Sequence, residues 1–513
     1  MISRQEWRWA AVRAALLVLT ATLPYVIAYL TTPPDLYYTG FLSNPEDGNT
    51  YLAKMRQGLH GLWRSRLSYT AEPHNAELIF TYYILLGHLA RWTGLPLILA
   101  FHLARILNGF LLLMVLYYAV SCFFSDRLQR RFAFTIAAVG SGLGWLATLA
   151  GRLTADMWVP EGYILYSIFV NPHFPLGIAL MVLSVLWSIT PWGVRRPDWR
   201  RLVGLAVTAA ALGIVQPFCL LTIGLLLSGY ALVLWVQKRQ PPWRELASIA
   251  VVGVAGSPFV LNVYVVSTRN PVFSIWAAQN QTPSPPPWDY AISYGLVLVL
   301  AIVGFWAAIR RRRNSDWLMI LWVMCSAALL YAPFSLQRRL LMGLIVPLGM
   351  LATTGWYTIS YRRHFHVRLV WALASLTHLF LLVIALMGAL TRHESLFMTR
   401  DEHAALAWLG EHAAPDALVI ASPQTGLYIP AWAGQRVVYG HRFETANADL
   451  RRQQLLAFFQ RGDPALLSDP SLQPNYVFFG PREQALAPGD WRPEPTWRPV
   501  YHQGRVTIYA LPQ

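Results

Sequence analysis

The chain has 513 residues, of which 55% are hydrophobic and only 13% are charged, and its formal net charge is +16 at pH 7. This composition is too apolar for an ordinary soluble enzyme; the 22 Trp, 24 Tyr and 23 Phe exclude a disordered chain, and the three cysteines exclude a disulfide scaffold. The remaining class is an α-helical polytopic membrane protein.

Apolar runs of about 17 to 25 residues are long enough to cross a bilayer as helices. The sequence predicts about eleven transmembrane helices, at 9–30, 96–124, 132–151, 174–192, 202–216, 217–236, 246–266, 290–309, 317–334, 340–359 and 369–390. We expect them to form a transmembrane domain over 1–391, with the first run as a retained signal anchor. Gly140-Ser141-Gly142-Leu143-Gly144 lies inside the third run, where it favours close helix packing over a phosphate loop.

The excess of basic over acidic residues lies between the apolar runs, in the loops on one side of the predicted membrane. With the N-terminus inside, the inner loops carry 20 basic and 5 acidic residues; these loops are 1–13, 125–131, 191–201, 237–245, 310–316 and 361–368. This is the positive-inside pattern, so the charge sets the orientation and removes the case for nucleic acid as a partner. We expect a multi-pass protein of the plasma (inner) membrane, with a cytoplasmic N-terminus and an extracytoplasmic C-terminal domain.

A large outer loop, residues 31–95, follows the first predicted helix and is too long for a simple connector. Within it, Leu52 and Met55 begin an apolar set at helical spacing, while Lys54 falls on another face. This pattern predicts an amphipathic helix over 49–64 that lies in the membrane interface.

Two adjacent carboxylates, Glu46 and Asp47, come just before this predicted helix. Acids at a bilayer surface could include a general base for an acceptor, or they could bind a divalent cation. The simpler interpretation makes Asp47 an N-cap and Glu46 a solvated charge. Composition alone leaves these alternatives open.

Two further motifs lie on the predicted outer side. Asn171 and His173 flank a proline at the start of the fourth run, where they could bind a phosphate or a sugar hydroxyl; the alternative is an ordinary helix start. Arg338 and Arg339 form a basic pair in an outer loop, where arginines are disfavoured. They could bind a lipid-linked phosphate or simply anchor the loop to membrane lipids. The outer loop 267–289 contains a proline-rich segment that predicts a stiff, extended backbone.

From residue 392 the apolar runs stop, and alternating helix and strand patterns predict a small extracytoplasmic α/β domain over 392–513. The predicted helices are 401–412, 424–433 and 447–461, and the predicted strands are 416–421, 436–439, 475–479, 498–501 and 505–510. About 120 residues are enough for an independent core.

The order of these features is distinctive. A first span precedes a large outer loop with an acidic motif, a helix that contains Tyr51, and a Gly-x-x-Gly-x-Trp-like end formed by Gly58, Gly61 and Trp63. A short juxtamembrane stretch at 78–93, many spans and an outer tail follow. In this plan the chain resembles the GT-C superfamily of integral-membrane glycosyltransferases, which includes the protein O-mannosyltransferases, the aminoarabinose transferase of lipid A and the oligosaccharyltransferase catalytic subunit.

The resemblance extends to the C-terminal tail, but the chain differs from the family pattern at two motifs. The segments 421–434 and 439–445 look like the tails of bacterial members. The Trp-Trp-Asp signature of the oligosaccharyltransferases is absent, and Glu77-Leu78-Ile79-Phe80 replaces the double-proline motif found after the first loop in many mannosyltransferase-like members. The resemblance therefore covers nearly the whole chain but leaves the sugar and the acceptor open.

The resemblance implies transfer of a sugar from a polyprenyl-phosphate donor to an extracytoplasmic lipid, glycan or protein acceptor, with inversion. Asp47 matches the presumed base of the family, and we expect Glu46, its acidic neighbour, to belong to the catalytic set as a group that assists it. Arg338 and Arg339, with His173 and Asn171, would then bind the donor phosphate or sugar. No cofactor is required by this scheme, and a divalent metal at the two acids stays open.

Two other functions are compatible with the sequence. A transporter or flippase of lipid-linked sugars would also need outer phosphate-binding arginines, but such proteins commonly have internal repeats and several charges near the midplane. This chain has no clear repeat, and Arg105 is the only charge well inside a run. The second alternative is a non-catalytic sugar-binding protein in which the loop acids only cap a helix.

Overall fold

The computed structural model describes residues 2–189, 199–360, 365–470, 472–489 and 491–512. The end of the predicted span 174–192 and parts of the predicted inner loops 191–201 and 361–368 lie outside these residues. The chain divides into two compact units. Unit 1 comprises Met1–Pro24, His102–Leu261 and Thr282–Ala385, and unit 2 comprises Tyr25–Phe101, Asn262–Gln281 and Leu386–Gln513.

Most of the described chain is helical. The helices before residue 190 are α1 (Arg4–Leu30), α2 (Pro45–Leu59), α3 (Thr81–Thr93), α4 (Leu97–Phe123), α5 (Arg127–Val139), α6 (Gly144–Leu149), α7 (Ala155–Trp158), α8 (Ile164–Val170) and α9 (His173–Ile189). The next eight are α10 (Trp199–Val215), α11 (Cys219–Lys238), α12 (Trp243–Arg269), α13 (Pro271–Gln279), α14 (Pro287–Arg311), α15 (Asn314–Leu330), α16 (Ile345–Ile359) and α17 (Phe365–Leu390).

Within the described residues, seven helical segments are long and apolar enough to cross a membrane; these are α1, α4, α5 together with α6, α11, α12, α14 and α17. The other predicted spans also contain helices, of which α9 and α15 are apolar but have only 17 residues each. Helices satisfy their own backbone hydrogen bonds, as a bilayer requires. The prediction of a multi-pass membrane protein is confirmed, and the number of crossings stays a prediction.

The third predicted run is not one continuous helix, because the chain leaves the helical conformation between α5 and α6. The carboxylate of Asp156 accepts hydrogen bonds from the backbone N–H groups of Gly142 (3.1 Å) and Gly144 (3.0 Å). The N–H of Ser141 donates to the carbonyl of Ala374 at 2.6 Å. Internal partners therefore satisfy these non-helical backbone groups, which is the condition for such a break in an apolar environment.

Unit 2 contains both β-sheets of the described chain. One pairs β1 (Leu36–Tyr38) with β2 (Phe397–Thr399) in antiparallel fashion. The other has the order β4-β3-β5-β7-β6, and its strands are β3 (Leu418–Ile420), β4 (Arg436–Val437), β5 (Tyr476–Phe479), β6 (Arg498–Gln503) and β7 (Val506–Ala510). Strand β3 is parallel to β4 and β5, whereas β7 is antiparallel to its neighbours β5 and β6.

The helices of this region are α18 (Arg400–His412), α19 (Pro423–Trp432), α20 (Ala448–Arg461), α21 (Ala465–Ser468) and α22 (Pro481–Leu486). Each helix and strand that the sequence predicts between 401 and 510 is present, with small differences at the ends. A buried core of Leu418, Ile420, Val438, Leu455, Phe459 and Val477 packs the sheet against its helices.

The carboxyl ends of β3, β4 and β5 meet at one edge of this sheet, because the three strands are parallel. Ser422, His441 and Gly480 follow these strands in turn. The buried carboxylate of Glu483 accepts the N–H of Ser422 at 2.8 Å and the N–H of Gly480 at 2.9 Å. Glu483 therefore joins two of the three loops at the edge where α/β sheets usually bind ligands.

Candidate active site

Helix α2 begins four residues before its predicted start, so both loop acids lie in its first turn. Asn44 is the N-cap, and its side chain accepts the N–H of Asp47 at 3.3 Å. Pro45 at the first helical position has the backbone angle that a helix start needs. The alternative in which Asp47 is the N-cap is wrong, because Asn44 fills that position. Glu46 and Asp47 instead lie in the first turn, at the positive end of the helix dipole.

Neighbouring groups contact both oxygens of the Asp47 carboxylate, and the side chain is still accessible to solvent. Its Oδ2 accepts a hydrogen bond from Nδ2 of Asn44 at 2.5 Å. Its Oδ1 lies 3.5 Å from Nε2 of His441. The Asp47 side chain is 38% exposed, whereas that of His441 is only 4% exposed. Glu46 beside it is exposed to solvent.

His441 is held in one orientation by its own loop. The backbone N–H of Phe443 donates to Nδ1 at 3.3 Å, so Nδ1 carries no proton in this arrangement and Nε2 carries it. Burial lowers the pKa of His441, but the carboxylates of Asp47, Glu444 and Glu46 outweigh burial and raise the pKa above its ordinary value. Nε2–H is therefore the atom that faces Asp47.

Sequence reasoning gave His441 no role. The signal was available, because His441 comes two residues after the predicted strand 436–439 of an α/β domain, and ligands bind outside the carboxyl ends of such strands. The partner of His441 could not be found in this way, since Asp47 belongs to the distant segment 31–95.

A buried ion pair lies beside this contact. Lys54 of α2 binds Glu444, and its Nζ lies 4.2 Å from the ring centre of Phe80. The prediction that α2 is an interfacial helix with Lys54 on a polar face is wrong for this residue. Helix α2 packs against both α3 and α19, so more than its apolar side is covered. Pairing with Glu444 is what allows the ammonium group to be buried.

The Gly-x-x-Gly-x-Trp-like motif has a packing role. Gly58 lies so close to α3 that a Cβ atom would be 2.1 Å from the carbonyl oxygen of Ile84, and a Cβ at Gly87 would be 1.9 Å from that of Met55. At the other end of the same contact, the ring of Tyr51 stacks on that of Tyr83 at 4.2 Å. This close approach fixes α2, and with it the first turn that carries Asp47.

Asn171 and His173 are buried in unit 1, where α9 begins at His173 as predicted. Two polar residues of α4 hold this turn. Arg105 donates to the carbonyl of Ile168 near the end of α8 at 2.9 Å, and Asn108 donates to the carbonyl of the proline between Asn171 and His173 at 3.0 Å. Arg105, the isolated charge of the sequence analysis, therefore satisfies carbonyls that the end of a helix leaves open.

Arg338 and Arg339 also belong to unit 1, in a 3-10 turn over Gln337–Leu341. The guanidinium carbon of Arg338 lies 4.5 Å from the ring centre of Trp158, and its Nε lies 3.9 Å from a carboxylate oxygen of Glu161. Nε is buried and has no hydrogen-bond partner among the described residues. Arg338 is thus positioned by a ring and an acid but has donor capacity left for another group.

The proline-rich segment packs along this turn. The N–H of Thr282 donates to the carbonyl of Ser335 at 2.7 Å, and the N–H of Arg338 donates to the carbonyl of Thr282 at 3.0 Å. The N–H of Ser284 donates to Oε1 of Gln337 at 3.1 Å. The segment therefore fixes the backbone that carries Arg338.

The residues proposed from sequence thus fall into two groups. Glu46 and Asp47 lie in unit 2, where Asp47 faces His441, whereas the other four candidates lie in unit 1. Those four are Asn171, His173, Arg338 and Arg339. The described residues contain no cluster of three or more His, Cys, Asp or Glu side chains arranged to hold a metal ion.

No protein-family model matches the chain, and no curated protein matches it. Several solved structures do. ArnT from Cupriavidus metallidurans, bound to undecaprenyl phosphate, matches with a TM-score of 0.58 and 14% identity, over 99% of this chain and 98% of that one. The archaeal oligosaccharyltransferase AglB from Archaeoglobus fulgidus, in complex with an inhibitory peptide and a dolichol-phosphate, matches with a TM-score of 0.50 and 11% identity. The match covers 92% of this chain and 69% of AglB.

A third similar structure is the arabinofuranosyltransferase AftD from Mycobacteria, with a TM-score of 0.53 and 15% identity. The match covers 99% of this chain and 40% of AftD. At these identities the likeness is one of fold. The chain has the fold of these GT-C glycosyltransferases, so the resemblance that the sequence indicates is confirmed at that level.

Proposed function

We propose that this protein is a membrane glycosyltransferase that transfers a sugar from a polyprenyl-phosphate donor to an extracytoplasmic acceptor, with inversion at the anomeric carbon. The observation that carries the proposal is the oriented, accessible carboxylate of Asp47 on a chain with this fold. The structures of ArnT and AglB contain polyprenyl or dolichol phosphates, which supports a donor of that class.

The reaction is a single displacement. An acceptor hydroxyl or amide attacks the anomeric carbon while its proton passes to Asp47, a new glycosidic bond forms, and the bond to the phosphate oxygen breaks. The polyprenyl phosphate leaves with the bonding electron pair. The ionised Asp47 serves as general base, and Asn44 and His441 hold its two oxygens so that the accepting lone pair has a fixed direction.

The departing phosphate gains negative charge, which a cation can stabilise. We assign this role to Arg338, whose buried Nε has no hydrogen-bond partner among the described residues and whose guanidinium is already oriented by Trp158. Arg339, Asn171 and His173 are assigned to the donor phosphate and sugar on the same reasoning. The fixed planar donors of arginine match phosphate geometry.

The mechanism needs no metal at the loop acids. Both oxygens of Asp47 face nitrogen groups, namely the side-chain amide of Asn44 and Nε2 of His441. A divalent cation at Asp47 would have to displace these donors, and it would find only exposed Glu46 as a second acid of the motif. Transfer that persists in EDTA is the expected result.

The test is sugar transfer by membranes that contain the full chain, supplied with a panel of undecaprenyl-phosphate-linked radiolabelled hexoses and pentoses. We expect labelled product with the wild type and a loss of about 100-fold or more for Asp47→Asn. The comparison variant is Glu46→Gln, which removes the neighbouring exposed acid and should lose much less activity than Asp47→Asn, because Glu46 only assists the base. Equal labelling by wild type and Asp47→Asn would disprove the role of Asp47, and no labelling by wild type with any donor would disprove the proposed function.

A further inference from the structure

The C-terminal segment reaches the first outer loop at one chemically specific point. His441 follows β4 at the carboxyl edge of the sheet, yet its Nε2 faces the carboxylate of Asp47 and not a group of its own sheet. His441 is almost completely buried, while Asp47 is partly exposed. The imidazole is therefore much less accessible to a bound molecule than the carboxylate is.

We infer that His441 is a positioning residue of the transferase, whose Nε2–H orients the Asp47 carboxylate toward the acceptor, so that the C-terminal segment completes the catalytic base. The inference rests on the proposed function. It gives the α/β part of the chain a role in the reaction itself.

Contacts around His441 fix its place relative to α2. The N–H groups of Glu444 (3.2 Å) and Thr445 (2.9 Å) donate to the His441 carbonyl. The hydroxyl of Thr445 donates to the carbonyl of Tyr69 at 2.7 Å, and Glu444 binds Lys54. The loop is therefore tied both to the 65–72 segment and to α2, and His441 cannot shift without breaking these bonds.

The charged and titratable groups around the imidazole come from three segments. Asp47 and Glu46 face it from α2, Glu444 and Arg442 belong to its own loop, and the ring centre of Tyr69 lies 6.2 Å away. Lys54 neutralises Glu444. The three carboxylates raise the pKa of His441 despite its burial.

The two protonation states of His441 have different effects on Asp47. The neutral form accepts the N–H of Phe443 at Nδ1 and donates from Nε2. Protonation at Nδ1 loses the first bond and places a positive charge beside Asp47, which makes the carboxylate a weaker base. Activity should therefore fall as the pH is lowered through the raised pKa of His441. This part of the pH dependence should disappear in a variant whose residue 441 does not titrate.

Two variants of the full chain test the inference. His441→Gln keeps an N–H donor near the Nε2 position but does not titrate, and His441→Phe keeps the volume without a donor. We expect His441→Phe to lower kcat by about 10-fold or more with little change in the donor KM, because misalignment of the base affects the chemical step. His441→Gln should retain most activity at neutral pH. On the acid side of its pH–activity profile, the fall in activity that protonation of His441 causes should be absent. The control is His502→Phe, at an exposed position on β6.

Different outcomes separate this inference from the proposed function. Two outcomes would overturn the positioning role while the wild type still transfers sugar. One is an unchanged kcat in His441→Phe; the other is an equal loss of kcat in both variants with no change in the fall of activity at low pH. Melting temperatures of wild type, Asp47→Asn, His441→Phe and the double variant supply a readout that needs no activity. Non-additive shifts are expected from the contact, and additive shifts would overturn it. Failure of the wild type to transfer any sugar would instead remove the proposed function.

Discussion

Lys54 of helix α2 and Glu444 of the C-terminal segment form an ion pair in which the side chains are only 2% and 9% exposed. The ammonium group also lies over the ring of Phe80. Burial of two charges is costly, so this pair is tolerated because each partner neutralises the other. The contact joins the helix that carries Asp47 to the loop that carries His441.

Removal of one partner of this pair should destabilise the protein strongly. We expect Lys54→Met or Glu444→Gln to cost about 3–5 kcal/mol, because the remaining group is left buried and unpaired. The double variant Lys54→Met/Glu444→Leu should be more stable than either single variant. Thermal unfolding of the purified full chain in detergent measures the effect, and Lys238→Met is the control because the chain's other lysine is exposed. Equal stability of wild type and the single variants would show that the pair is not formed.

Glu483 should stabilise the two loops that it joins at the carboxyl edge of the sheet. Glu483→Ala leaves the N–H groups of Ser422 and Gly480 without their acceptor, and an unsatisfied buried donor costs about 1–3 kcal/mol. We expect a clear loss of thermal stability and faster hydrogen exchange at these two amides. Glu494→Ala is the control, since Glu494 is exposed. Unchanged exchange at both amides would contradict the bridging role.

Arg338 should affect the use of the donor more than the fold. Arg338→Ala removes a guanidinium group oriented over Trp158, and Arg338→Lys keeps only a point charge. We expect both variants to lower kcat/KM for the lipid-linked donor, by about 10-fold or more for alanine, with lysine restoring little. Transfer assays at varied donor concentration measure this effect, with Arg269→Ala as an exposed control. A lysine variant with wild-type kinetics would show that charge alone is sufficient.

Arg105 should be required for the turn that carries Asn171 and His173. Arg105→Met leaves the carbonyl groups of Ile168 and Phe169 without a donor in an apolar environment. We expect a lower melting temperature and a lower amount of inserted protein, because several hydrogen bonds are lost at a fully buried side chain. Quantitative immunoblots of membranes and thermal unfolding measure both effects, and the exposed Arg4 gives the control Arg4→Met. Normal stability of Arg105→Met would contradict this structural role.

Much of the fold is encoded locally and could be predicted from the sequence. The apolar runs, the basic loops between them and the alternating patterns of the C-terminal region depend on neighbouring residues, so periodicity and charge identify them. The same is true of the acids at residues 46 and 47, whose place before a helix is visible in the sequence. The limit of local reasoning is already evident at this helix, where Asn44 and not Asp47 is the cap.

The tertiary structure decided which distant groups meet. Asp47 faces His441 and Lys54 pairs with Glu444 only because α2 packs against the C-terminal segment, and no local pattern records that contact. The glycine motif at residues 140–144 coincides with the break between α5 and α6, but no local pattern records that Asp156 and Ala374 satisfy the free N–H groups there. The sequence by itself determined a membrane-spanning chain with candidate acids and arginines. The fold determined their partners, because the energy of a buried charge or an open backbone group depends on what lies next to it in space.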